Sequence, residues 1–102
     1  GVWSGTLTVT IKGEEQSLPI TLNLEQDKGV YTGTIDGDVF GKPLPLHNVE
    51  FAGGLLAFTS RDPDDGELIR YQLHLTGAEL RGGAWTWDWR DRKTALIELS
   101  RG

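Results

Sequence analysis

Apolar and polar side chains alternate with a period of two along most of this chain, the rhythm of strands with one face in a core and the other in water. In the first segment Trp3, Gly5, Leu7, Val9 and Ile11 share one face, and Ser4, Thr6, Thr8, Thr10 and Lys12 share the other. Leu18, Ile20, Leu22 and Leu24 alternate in the same way with Pro19, Thr21, Asn23 and Glu25. Ile69, Tyr71, Leu73 and Leu75 alternate with Arg70, Gln72, His74 and Thr76. In the last segment Ala95, Ile97 and Leu99 oppose Thr94, Glu98 and Ser100, with Leu96 as a misfit on the polar face.

Four further segments carry a weaker form of the pattern. Tyr31, Gly33 and Ile35 form one face of a third strand. A strand over Leu44 to Phe51 needs a bulge, because its apolar phase shifts between Leu46 and Val49. Leu55 to Thr59 reads as a strand buried on both sides at Leu55 and Leu56, and Arg81 to Arg90 as another strand. Seven turn signals separate these runs: Gly13 to Glu15, Asp27 to Gly29, Gly37 to Pro43, Gly53-Gly54, Asp62 to Gly66, Gly77 to Glu79 and Asp91 to Lys93. Seven turns imply eight strands. No segment holds a helical period, so no α-helix of consequence is expected.

Short sequential turns favour neighbouring antiparallel pairs, and hence an up-and-down meander. Pairing the first strand with the eighth removes both exposed edges. The expected fold is therefore all-β, an eight-stranded antiparallel up-and-down β-barrel, with a Greek-key sandwich as the alternative. The chain has 102 residues, which suits one domain over residues 1–102.

Composition narrows the function classes. The formal net charge is -5 and the charges are dispersed, which disfavours nucleic acid and anionic membrane surfaces. The longest apolar run, Leu55 to Phe58, is four residues, too short for a spanning helix. Cysteine is absent, so disulfides, thiol nucleophiles and zinc–thiolate sites are excluded. The chain opens at Gly1 without methionine and has no signal-peptide pattern, as expected of a processed or excised domain.

Within the strand pattern, Gly1-Val2-Trp3 resembles the G-x-W motif that opens the first barrel strand of lipocalins. The resemblance implies that Trp3 plugs the closed end of the barrel and that an arginine from the last strand, here Arg101, packs over it. The long loop between the first two lipocalin strands and the C-terminal helix of that family have no counterpart here. The chain is more similar to compact bacterial lipocalin-like (calycin-type) barrels, found alone or appended to hydrolases. Their pattern is matched by Trp3 to Leu7, Thr32 to Ile35, Leu80 to Gly82 and Leu99 to Arg101. That likeness spans nearly the whole chain, implies a lipocalin-like fold and carries no catalytic residue.

The densest aromatic signal is Trp85-Thr86-Trp87-Asp88-Trp89, whose tryptophans share one strand face. Thr86, Asp88 and Arg90 on the other face favour tryptophans turned inward. The preceding phase of Leu80, Gly82 and Ala84 opposes this, unless a bulge at Gly82-Gly83 shifts it. Outward tryptophans would instead form an aromatic ribbon for a partner, a second copy or sugar rings.

Catalytic signals are thin. His47 and His74 are the only histidines, and no serine lies in a nucleophile-elbow setting. The acidic run Asp62 to Glu67 lacks the EF-hand register and reads as a hairpin loop. Gly41-Lys42 lacks the spacing of a phosphate loop. The expectation is a non-enzymatic domain without catalytic residues, metal or cofactor, monomeric or homodimeric, that holds a small apolar or aromatic ligand inside the barrel. Trp3, Tyr31, Phe58, Tyr71, Trp85, Trp87 and Trp89 are its candidate ligand contacts. The alternative is a structural or accessory domain making a protein–protein or homodimer contact through an aromatic surface.

Overall fold

The computed structural model describes residues 1–64, 66–87 and 92–101, leaving aside the side chains of residues 11, 87, 92 and 93. Its strands are β1 (Val2–Ile11), β2 (Glu14–Asp27), β3 (Val30–Asp36), β4 (Leu44–Pro45), β5 (His47–Ala52), β6 (Leu55–Arg61), β7 (Leu68–Thr76), β8 (Glu79–Trp87) and β9 (Arg92–Arg101). They form one antiparallel sheet in the order β4-β3-β2-β1-β9-β8-β7-β6-β5. The first and last strands of the chain pair from Trp3 opposite Arg101 to Thr8 opposite Leu96. This is the meander expected from short turns, not a Greek key.

The described residues contain nine strands, where eight were expected. The difference lies in Leu44 to Phe51, expected as one strand. Leu44 and Pro45 pair with β3, whereas His47–Ala52 pairs with β6. Pro43 and Pro45 carry no N–H, so this stretch cannot sustain a ladder on both sides. The anticipated bulge is present as a register shift between His47 and Glu50, with Asn48 at φ 53°. Because β4 and β5 are consecutive, the two ends of the sheet order are joined through Leu46, whose N–H donates to the Gly33 carbonyl at 3.0 Å. A seam remains between the start of β3 and β5, and the tilted rings of Tyr31 and Phe51 bridge it with centroids 6.3 Å apart. The barrel is thus nearly closed.

Alternation sets the inner face of each long strand. Trp3 and Leu7 of β1, Ile20 and Leu22 of β2, and Ile35 of β3 are buried. Continuing around the barrel, so are Leu56 and Phe58, Tyr71 and Leu73, Leu80 and Ala84, and Ile97 and Leu99. Leu96, the misfit, is 50% exposed on the outer face. Leu56 is buried and Leu55 half-buried, and farther along β6 Phe58, Thr59 and Ser60 are buried in succession.

Glycines at inner positions let the strands close tightly. A Cβ on Gly82 would lie 1.9 Å from the Gln72 carbonyl oxygen, and one on Gly5 equally close to that of Glu98. Gly82 therefore serves close approach and not a bulge, and β8 keeps continuous register with β7 and β9 from Glu79 to Trp87. At one end of the barrel Trp3 is 9% exposed, and the Arg101 guanidinium carbon sits 5.9 Å from its ring centre. Arg101 of the last strand thus packs beside Trp3 of the first. No helix among the described residues is long and apolar enough to cross a membrane.

Candidate ligand-binding cavity

At the end opposite Trp3 the described residues leave part of the interior unfilled. One row of inward side chains runs across the paired positions Phe58, Tyr71, Ala84 and Ala95 of β6 to β9. The next row holds Leu56, Leu73, Gly82 and Ile97. Two alanines side by side leave the first row short of side-chain volume. The result is a cavity of about 180 Å³ walled chiefly by Leu7, Val9, Ile69, Tyr71, Ala84 and Ala95.

The connection between β3 and β4 covers part of its mouth. Two successive turns, Phe40 N–H to Gly37 carbonyl at 3.0 Å and Gly41 N–H to Asp38 carbonyl at 3.1 Å, fold this loop back over the barrel end. They place both Phe40, 9% exposed, and Val39, 41% exposed, against the cavity. Asp62 stands at the rim. Its carbonyl accepts from Gly66 N–H and its N–H donates to the Glu67 carbonyl, both at 2.9 Å, while its carboxylate caps Asp64 N–H at 2.8 Å. This part of the acidic run is thus a hairpin turn; Asp65 lies outside the described residues. Among the described residues no three potential metal ligands converge.

Tyr71 supplies the polar element of the wall. Its ring stacks on Phe58 with centroids 4.5 Å apart and planes 19° from parallel. Its hydroxyl shares a 2.8 Å hydrogen bond with the Ser60 hydroxyl, and both residues are buried. Burial denies the phenolate water and pushes the Tyr71 pKa up to about 12; the Ser60 bond lowers it and the Asp62 charge raises it. The phenol is therefore neutral across the physiological range. Thr86 also lines the cavity, and its buried hydroxyl has no hydrogen-bond partner among the described residues.

The seven aromatic candidates separate in space. Tyr71 lines the cavity, Phe58 backs it, and Trp85 borders it. Trp3 belongs to the opposite end and Tyr31 to the seam. Trp89 and the side chain of Trp87 lie outside the described residues. Trp85 is placed opposite Arg70 and Thr94, in the outward phase of β8, so the inward reading does not hold for it. Polarity misled there because Thr86 is an inward residue at the barrel mouth. Missed altogether were Phe40, Ala84 and Ala95. The two alanines were legible as small residues at inward positions, whereas nothing local marks Phe40 as a cavity residue. His47 and His74 are both exposed and stand on different strands.

When the chain is compared with protein-family models, curated proteins and solved structures, none matches it.

Proposed function

We propose that the domain is a non-enzymatic binding module whose end opposite Trp3 takes one small apolar or aromatic molecule. The cavity beneath Phe40 carries this reading. At about 180 Å³ it is comparable to the ~150 Å³ apolar cavity known to admit benzene or xenon, and well below the ~300–1,000 Å³ of sites for larger ligands. Size thus selects a molecule of one or two rings over a larger polycycle or a lipid chain. A ring that buries ~150–200 Å² at ~25 cal/mol per Å² gains roughly 4–5 kcal/mol, which corresponds to dissociation constants near ~0.1–1 mM. Thr86 offers at the wall a hydroxyl with no hydrogen-bond partner among the described residues, which favours a ring bearing a single polar atom.

Calorimetric and thermal-shift titrations with benzene, phenol and indole test the proposal, with anthracene as the oversized control. Saturable stabilisation by the small rings, absent in an Ala84→Leu variant that keeps the fold, is the expected result. Failure of all three to bind overturns it. The outward phase of Trp85 favours the alternative of contact through an aromatic surface.

A further inference from the structure

The outer face of β5 to β8 carries a second concavity. Glu50, Ala57, Gln72 and Gly83 stand side by side in one row, and His47, Thr59, Arg70 and Trp85 in the next. The middle strand β6 contributes only Ala57 and Thr59, so a trough opens between the longer side chains of β5 and β7. At ~4.8 Å per strand step those two walls stand ~10 Å apart. The trough holds about 330 Å³, nearly twice the interior cavity, and is bordered by Asn48, Glu50, Arg70, Gln72 and Trp85. Its bend comes from the bulge, since Asn48 at φ 53° leans over β6 and its amide reaches the Thr59 hydroxyl at 3.5 Å.

We propose that this trough is a binding site for a neutral saccharide, with a pyranose ring lying against Trp85. The half-buried Trp85 gives one wall a flat apolar surface. The remaining walls are planar polar groups, an amide from Asn48, an amide from Gln72, the Glu50 carboxylate and the Arg70 guanidinium, each able to bond two neighbouring hydroxyls. Arg70 and Glu50 form no ion pair among the described residues, whereas Arg81, also facing outward, bonds Glu79 at 3.1 Å and approaches Glu98 at 3.9 Å. Their hydrogen-bonding capacity is therefore open to a ligand.

Charge and polarity exclude the other small-molecule classes. A wholly apolar ligand would strip water from four polar groups without replacing it. An anion would meet Glu50 on a chain of net charge -5. A ring with apolar C–H faces and a rim of uncharged hydroxyls satisfies both kinds of wall. The trough lies on the outer side of the sheet; Tyr71 and Trp85 border both it and the interior cavity, whereas Ala84 borders the cavity alone.

The test is a nuclear magnetic resonance titration of the 102-residue chain with cellotetraose, xylotetraose, mannotetraose and maltotetraose, following the Trp85 indole N–H, the Gln72 amide and the Arg70 Nε–H. At least one oligosaccharide is expected to shift all three saturably. Trp85→Ala and Gln72→Ala should each weaken it about tenfold, the loss of one good contact. Gln72 is exposed, so its variant keeps the fold even where Trp85→Ala does not. Ala84→Leu should leave saccharide binding unchanged, which separates this site from the cavity. The proposal is overturned if none of the four sugars produces saturable shifts, if the shifts fall outside the trough, or if binding survives Gln72→Ala undiminished.

Discussion

Replacing Tyr71 with phenylalanine removes one oxygen from the most buried polar pair in the barrel, and its consequence depends on pH in a calculable way. At neutral pH the variant strands the Ser60 hydroxyl, which is 0% exposed, without its 2.8 Å partner. Leaving a buried hydroxyl unsatisfied costs ~1–3 kcal/mol. In the native chain the phenol titrates at about 12 when folded, against ~10 when unfolded. The folded pKa is the higher one, so the stability tied to this group is complete below the unfolded value and is lost as pH rises through the folded one. Each unit in that window removes ~1.4 kcal/mol, for a total of ~2–3 kcal/mol. Phenylalanine has no such loss. Urea denaturation of both proteins at steps from about pH 8 to about pH 12 should therefore show native Tyr71 ahead at the start and the two curves converging or crossing at the end. A difference that stays constant across the series would refute the assignment of a buried, neutral, hydrogen-bonded phenol.

Three further outcomes follow from the packing. Gly82→Ala sets a Cβ 1.9 Å from the Gln72 carbonyl oxygen, while Gly83→Ala meets only the Ala95 carbonyl at 3.2 Å. Chemical denaturation should show the first losing ~3 kcal/mol or more and the second ~1 kcal/mol or less, although the residues adjoin. Arg101→Ala should cost ~0.5–1 kcal/mol through the lost contact with the Trp3 ring and alter Trp3 fluorescence. Ala84→Leu should fill the cavity, abolish binding of phenol and indole in the thermal-shift assay, and change the midpoint by only a few degrees.

The physical reasons for success and failure in reading the sequence are specific. Burial of Leu7, Leu22, Leu73 and Ile97 was legible because alternation is a local property that a one-sided sheet must obey. The meander was legible because most connections are short turns, which leave neighbours little choice but to pair. The split of Leu44 to Phe51 was hidden because it depends on which neighbour each half meets, a tertiary fact. Its bulge was visible in the phase shift. Trp85 was misassigned when the polarity of three side chains was given more weight than the uninterrupted phase from Leu80. The cavity was half legible: Ala84 and Ala95 are small on sight, but their adjacency across β8 and β9 depends on register, and the cover supplied by Phe40 depends on a loop fold.

Binding of a small ring requires the unfilled, ring-sized space that the described residues leave between Leu7, Ala84, Ala95 and Phe40. The most direct measurement is a set of nuclear Overhauser contacts between bound benzene and methyl-labelled protein. Contacts to the methyls of Leu7, Ala84 and Ala95, with none to Leu22 or Leu99 near Trp3, are predicted. Benzene contacts only at the Trp3 end or on the outer face, or no contacts at a concentration well above the expected dissociation constant, would contradict the account.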